Sequence, residues 1–183
     1  FDNAFDALIL NDANVGTTVL KSDAGYSWGR VGLKLTTAGK LDVTNAALTA
    51  PMGYFNLQSV GVVGDLRTTL DRFTLVNLAG SGSGTGIVIR ETDSLTILDG
   101  DRGSKGGLYS ASGAIDIQLA AQESRFDLAS GVLEAVGGGD ITLVADDVDF
   151  RSGANLVKGT GDLVIRAMTA TQNYMVGAAG QST

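Results

Sequence analysis

The sequence contains no cysteine and no histidine, and Pro51 is its only proline. Without cysteine, disulfides and thiolate metal sites are excluded. Without histidine, the usual nucleophile–base pairs and imidazole-ligated metal sites are excluded as well. Long apolar runs are also missing, since no stretch approaches the roughly 18 residues that a transmembrane helix needs. We therefore expect no cofactor and no transmembrane segment.

Charge and aromatic content are low too. Charged residues make up 18% of the 183 residues and aromatic residues 6%, while 44% are hydrophobic. Disordered chains normally carry more charge and more proline, so this composition predicts a folded chain with a core. Thirteen basic residues face twenty acidic ones, and the net charge of −7 leaves no basic surface for phosphates. No nucleic-acid partner is expected.

Glycine is abundant, with 26 residues, and it recurs at a nearly constant period. Five of the recurring glycines are followed two positions later by Leu or Ile. A repeat of 20 to 30 residues that is too short to fold alone is typical of a solenoid, in which each unit buries its apolar face on the next. The recurring glycines are Gly16, Gly39, Gly64, Gly86, Gly113, Gly139 and Gly161, and the five apolar partners are Leu41, Leu66, Ile115, Ile141 and Leu163.

The clearest repeat runs from Gly139 to Thr160 and contains three short strand phrases separated by turn residues. The phrases are residues 141–144, 148–150 and 156–157, and the first alternates apolar and polar residues as a half-buried strand does. Three strands and three turns in 22 residues predict one coil of a right-handed parallel β-helix. The whole chain would form about six to seven coils of 22–27 residues. The residues expected to point inward are Ile141, Leu143, Val148, Phe150, Leu156, Leu163 and Ile165.

The other units align with this one. An apolar residue nine positions after the glycine marks the second strand, and a further set marks the third strand. In the unit that begins at Gly113, the second strand at residues 125–128 comes four residues later, which predicts an enlarged turn. The second-strand residues are Leu48, Phe73, Leu95 and Val148, and the third-strand phrases are Phe55-Asn56-Leu57, Leu133 and Leu156-Val157.

One continuous domain is expected, with residues 1–38 as an atypical first coil or the start of the solenoid and 39–183 as β-helix repeats. Neither end shows a recognisable cap, although solenoids need caps to cover the last apolar coil. We therefore expect a segment of a longer chain, or one that stacks end to end with copies of itself, because uncapped strands favour strand addition.

The phrases Gly139-Asp140-Ile141-Thr142-Leu143 and Gly159-Thr160-Gly161-Asp162-Leu163, with the closing Gly177-Ala178-Ala179-Gly180, resemble repeats of filamentous haemagglutinin-like large exoproteins of Gram-negative bacteria. The likeness is good over the last third, looser over 39–112 and poor over 1–37. It implies a non-catalytic adhesin rod, stalk or filament, secreted or at the cell surface, of the kind that serves cell adhesion and biofilms. The implied partners are neighbouring repeats, copies of itself, surface glycans, or host or bacterial cell surfaces.

Two groups of aspartates are candidates for chemistry. Asp146, Asp147 and Asp149, and likewise Asp99 and Asp101, offer oxygen ligands of the kind that Ca²⁺ prefers. The alternative is that these short carboxylates only form turns, for which they are well suited.

A second candidate is the pair Asp140 and Asp162, which share a repeat position. They would lie about 5 Å apart on neighbouring coils, a separation compatible with the paired carboxylates of a polysaccharide-degrading β-helix. A carboxylate ladder at a turn with no catalytic role explains the pair equally well. No catalytic residue is assigned.

Trp28 and Tyr54 are candidate glycan contacts, because exposed aromatic rings can form a platform for sugars. Their sequence neighbours Tyr26 and Phe55 are aromatic too. The alternative is that these rings fill the core at a coil corner or at an end of the solenoid.

Overall fold

The computed structural model describes residues 7–12, 17–19, 32–44, 47–78, 86–98, 107–151 and 155–171, and within these ranges it describes the side chains from residue 35 onward, except for those of 48–55 and 71. The described residues form β-strands and turns, without an α-helix among them. The seventeen strands are β1 Ala7–Asp12, β2 Thr17–Val19, β3 Gly32–Thr37, β4 Lys40–Asp42, β5 Ala47–Ser59, β6 Val62–Val63, β7 Leu66–Asn77, β8 Ile87–Glu91, β9 Leu95–Ile97, β10 Gly107–Ser110, β11 Ile115–Leu119, β12 Arg125–Leu128, β13 Val132–Ala135, β14 Ile141–Val144, β15 Asp147–Phe150, β16 Val157–Gly159 and β17 Leu163–Arg166.

The strands are parallel and stack as a β-solenoid, as the glycine period predicts. Three ladders run along residues 66–166. The first joins the start of β7 to β8, β11, β14 and β17, and the second joins the middle of β7 to β9, β12 and β15. The third joins the end of β7 to β10, β13 and β16. β7 thus takes part in all three ladders, and each of the three coils from β8 to β16 contributes one strand to each ladder.

The solenoid has about four turns, fewer than the six to seven that the glycine count predicts. Residues 7–63 build their coils differently. There β1, β3 and β5 extend the third ladder, while β2, β4 and β6 form a separate three-stranded sheet. Because β5 is a 13-residue strand that spans more than one ladder, the regular three-strand coil is not repeated in this part.

The core lies inside the coils, where inward positions of successive strands stack on one another. Ile141 and Leu143 are 3% and 1% exposed, as predicted, and Val148, Leu156 and Ile165 are partly buried against the core. The same inward positions of the preceding coils carry Ile87, Ile89, Ile115 and Ile117, all buried. Parallel stacking of Ile on Ile explains why β-branched residues dominate these strands.

Phe150 and Leu163 occupy the predicted inward register positions, but they are not buried, since they are 37% and 48% exposed. Their register partners in the preceding coils, Leu128 and Ile141, are buried. The difference follows from position along the solenoid. Within the described part of the chain, β15 and β17 are the last strands of their ladders, so no described strand covers their outer edge.

The repeated glycines permit the coils to approach closely. A Cβ on Gly139 would lie 2.3 Å from the carbonyl oxygen of Gly113, and one on Gly161 would lie 2.5 Å from that of Gly139. Gly64 has a φ of +89°, in the left-handed region that side chains rarely adopt. Glycine is therefore required by space at Gly139 and Gly161 and by backbone conformation at Gly64.

The predicted register of the first strands is confirmed for three coils and wrong for two. Ile115 pairs with Ile141, and Ile141 with Leu163. Leu41, however, pairs with Val62 rather than with Leu66. The coil at Gly86 is also out of register with the other glycines. Ile115 lies two residues after its glycine but pairs with Ile87, one residue after Gly86, and Leu66 lies two residues after its glycine but pairs with Ile89, three residues after Gly86.

The second-strand alignment is confirmed for Leu95 and Val148, which both pair with Phe126. The enlarged turn before β12 absorbs the four extra residues, as predicted. The alignment is wrong for Leu48, which pairs with Thr68, and for Phe73, which pairs with Phe55 and Ile97. The turns of these coils differ in length, so counting from the glycine misplaces the strand.

The third-strand alignment is confirmed for Leu133 and Val157, which pair directly, and for Leu57, which joins the same ladder through Leu75 and Leu108. Phe55, however, pairs with Phe73, which the alignment assigned to the second strand. None of the described residues belongs to a helix that would be long and apolar enough to cross a membrane.

Candidate functional site: carboxylates at the coil corners

Asp146 lies in the corner before β15 and joins three coils. Its carboxylate accepts hydrogen bonds from the backbone N–H of Glu123 in the preceding coil, at 3.0 Å, and of Thr169 in the following coil, at 2.7 Å. The Thr169 hydroxyl donates a third bond at 2.6 Å. These bonds, above all the one from the Thr169 hydroxyl, lower the pKa of Asp146, because they favour the ionised form.

Asp147 and Asp149 belong to an ion-pair ladder on the outer face of β12 and β15. Arg125 contacts Asp149 and lies 3.6 Å from Asp147, and Arg151 contacts Asp127 and lies 3.2 Å from Asp149. Asp127 and Asp149 are register partners, so two stacked carboxylates are balanced by two guanidinium groups. This arrangement offsets the like-charge repulsion that stacking would otherwise produce.

For these aspartates, the arrangement favours the turn interpretation over calcium. The Asp146 carboxylate binds backbone N–H groups, whereas Asp149 binds arginines. Within the described ranges, no three acidic side chains converge as metal ligands would. Asp99 and Asp101 lie outside the described residues, so their assignment stays a prediction.

Asp140 and Asp162 occupy the predicted neighbouring coils, immediately before the paired residues Ile141 and Leu163. Asp140 Oδ1 accepts a hydrogen bond of 2.8 Å from the backbone N–H of Asp162. Both side chains are exposed. The Asp140 carboxylate therefore orders the turn of the next coil, in a contact between a side chain and the backbone.

The two aromatic candidates stay predictions. Trp28 lies outside the described residues, as does Tyr26. The backbone of Tyr54 lies in β5 opposite Arg72, while its side chain lies outside the description, as does that of Phe55.

Sequence reasoning missed Glu91, the most deeply buried carboxylate of the described chain at 1% exposure. It ends β8, where Ile87, Ile89 and Glu91 alternate inward with half-buried outward residues. Burial raises its pKa to about 7, although the neighbouring Thr68 hydroxyl and the hydrogen bonds from the backbone N–H groups of Thr92 and Leu70 oppose the shift. The sequence does indicate this burial, because Glu91 follows Ile87 and Ile89 at the same two-residue spacing, which places its side chain on the inward face of the strand.

Sequence reasoning also missed Arg90, which joins coils on the outer face of the first ladder. Its guanidinium lies 2.9 Å from Asp116 in the following coil and 3.8 Å from Asp65 in the preceding one. All three side chains are partly or largely exposed, so each ion pair contributes little, about 0.2–1 kcal/mol. The described polar side chains thus repeatedly connect one coil to the next.

Comparison of the chain with protein-family models, with curated proteins and with solved structures finds no match.

Proposed function

We propose that this chain is a structural or adhesive β-helical segment of a secreted or cell-surface exoprotein, a stalk, filament or adhesin rod without enzymatic activity. The observation that carries the proposal is that the candidate catalytic and metal-binding aspartates form contacts within and between coils. Asp140 and Asp146 bind the backbone of neighbouring coils, and Asp149 binds two arginines. Carboxylates engaged in this way strengthen a stack of coils.

The stacked architecture suits a rod. Successive coils rise by about 4.8 Å, so each added repeat lengthens the solenoid without changing its cross-section. β15, β16 and β17 are the last described strands of the three ladders, and there the exposed Phe150 and Leu163 leave apolar surface. The partner that fits this apolar surface is another coil, supplied by neighbouring repeats or by a second copy. Host or bacterial surfaces and their glycans are the proposed targets of the assembled rod.

Sedimentation at increasing protein concentration tests the structural role. We expect mass to rise with concentration, and Leu163→Lys to reduce that rise because it places a charge on the exposed apolar edge. Lys158→Arg, on the exposed outer face of β16, is the matched control and should change nothing. Monomeric behaviour at every concentration, together with uniform hydrogen-exchange protection of β15–β17, would contradict self-association.

The alternative is a polysaccharide-binding or polysaccharide-degrading β-helix, which the placement of Asp140 and Asp162 on neighbouring coils favours. Incubation with a panel of acidic and neutral polysaccharides separates the two functions. Release of reducing ends that is abolished by Asp140→Ala or Asp162→Ala would overturn the non-catalytic proposal. Retention on a glycan array that depends on Trp28 or Tyr54, without release of reducing ends, would support the binding form.

A further inference from the structure

Glu91 stands at the corner where β8 ends, on the inside of the coil. Both carboxylate oxygens lie 3.2 Å from the backbone nitrogen of Leu70, and Oε1 also accepts a 2.8 Å bond from the Thr92 backbone N–H. Its register partners are Thr68 in the preceding coil and Leu119 in the following one, both buried. The side chain thus links β7 to β8 inside the coil.

No described cation compensates this carboxylate. On β7, the Arg67 side chain donates to the carbonyl oxygen of Thr44, and the backbone of Arg72 pairs with Thr96 in the second ladder. On β8, Arg90 binds Asp116 of β11.

The other charged side chains that the structure describes in the turns beside Glu91 are acidic. Asp93, in the turn that follows β8, is exposed and disfavours the ionised form of Glu91. Glu123, in the enlarged turn of the next coil, is exposed as well. On β11, the strand packed over Glu91, the register partner is the uncharged Leu119. Ionisation of Glu91 would therefore place a negative charge in the coil interior, where the described groups that stabilise it are backbone N–H groups and the Thr68 hydroxyl, without a cation.

We propose that the Glu91 corner is a pH-sensitive joint of the solenoid, closed when the buried carboxyl is neutral and opened locally when it ionises. The neutral acid keeps the bonds from Leu70 and Thr92 without the cost of a buried charge. Once ionised, the group gains most by reaching water, and it can do so only if the turn at 92–94 moves away from β7. This joint would make the stability of the proposed rod depend on pH. The inference rests on the geometry of the Glu91 corner and holds whether or not the rod is adhesive.

The direction of the response follows from linkage. The pKa of Glu91 rises from 4.5 to about 7 on folding, so the stabilisation of the closed corner is complete below 4.5 and is lost as pH rises through 7. Asp146, at the corresponding corner of a later coil, responds in the opposite direction, because its pKa is lowered. The two corners therefore weaken at opposite ends of the pH range.

Amide hydrogen exchange, corrected for the intrinsic effect of pH, tests the joint at Leu70, Thr92 and Ala120, whose N–H binds the carbonyl oxygen of Glu91 at 2.9 Å. We expect the local opening constant to increase about tenfold or more from pH 5.5 to pH 8, from the size of the pKa shift. The amide of Leu133, bonded to Leu156 in another coil, serves as the internal reference and should not respond.

Glu91→Gln should abolish the pH dependence, and Glu134→Gln, on the outward side of β13, should leave it unchanged. If Glu91→Gln does not fold, the carboxyl carbon shift of Glu91 in the unmodified protein provides the measurement. A titration midpoint near 7 with coincident opening supports the joint. A midpoint near 4.5, or opening that persists in Glu91→Gln, would overturn it.

Discussion

Asp146 and Thr169 are joined by two hydrogen bonds, one from the backbone N–H at 2.7 Å and one from the hydroxyl at 2.6 Å. The residues lie 23 positions apart in sequence and in successive coils. A single carboxylate therefore holds the corner of one coil to the corner of the next, while its bond from Glu123 reaches the coil before. Asp146 is 5% exposed, so these bonds are shielded from solvent.

Asp146→Asn should lower the thermal unfolding midpoint at pH 6, because the amide group cannot accept all three hydrogen bonds. The pKa of Asp146 is lowered from its ordinary value of 3.8, so its stabilisation is present above that value and is lost as pH falls through the folded pKa. The difference between variant and parent should therefore shrink in acid. Thermal unfolding between pH 6 and pH 2 measures it.

Asp147→Asn is the matched control, since this neighbouring carboxylate is largely exposed and lies 3.6 Å from Arg125. Its unfolding midpoint should stay close to that of the parent. If both variants lose the same stability at pH 6, the bonds across the coils are not what makes Asp146 stabilising.

Ile141→Asp and Leu163→Asp compare a buried and an exposed member of one register pair. Ile141 is 3% exposed, so an aspartate there leaves an unpaired carboxylate in the core and should cost roughly 3–5 kcal/mol. Leu163 is 48% exposed, and the same change should cost less than about 1.5 kcal/mol. Urea unfolding of both variants checks the difference. Equal losses would show that Leu163 is covered in solution.

Gly139→Ala tests the close approach of coils, because its Cβ would lie 2.3 Å from the Gly113 carbonyl oxygen. The backbone must move apart, and we expect a loss of about 2 kcal/mol or more in urea unfolding. Gly138→Asn is the control for backbone strain without a steric clash, since nothing lies within 4 Å of its Cβ position and asparagine adopts a φ of +85° at a lower cost than most side chains. A Gly139→Ala variant as stable as this control would refute the packing argument.

The sequence predicts the strand register correctly only where the number of residues between the repeated glycine and the following strand is constant. Ile115 and Ile141 each follow a glycine by two residues, and their pairing is predicted correctly. Ile87 follows Gly86 directly, so counting from that glycine places the strand one residue out of register. A slip of one residue would turn every inward side chain outward, so the apolar alternation overrides the glycine marker.

The candidate site was predicted less completely, for a different reason. The turn positions of Asp140 and Asp146 follow from local sequence, but their hydrogen-bond partners lie in other coils. Those partners depend on turn lengths that strand phrases do not reveal. Glu91 was missed because a charged residue is expected outside, although the alternation of β8 places it inside.

Thr69 and Thr92 provide a direct test of the register between β7 and the turn after β8, because their hydroxyl oxygens lie 3.0 Å apart and 23 residues separate them. If the register followed the spacing of 22 residues between Gly64 and Gly86, Thr69 would instead lie opposite Glu91. A Thr69→Cys/Thr92→Cys double variant should form a disulfide on mild oxidation, and closing a loop of this size stabilises by about 3 kcal/mol. Since the natural chain has no cysteine, any intramolecular disulfide is the engineered one. Thr69→Cys with Asp93→Cys, one residue out of register, is the control. Faster oxidation of that control pair, or destabilisation of the first pair by its disulfide, would mean that the ladder joining Leu66 to Ile89 is misaligned.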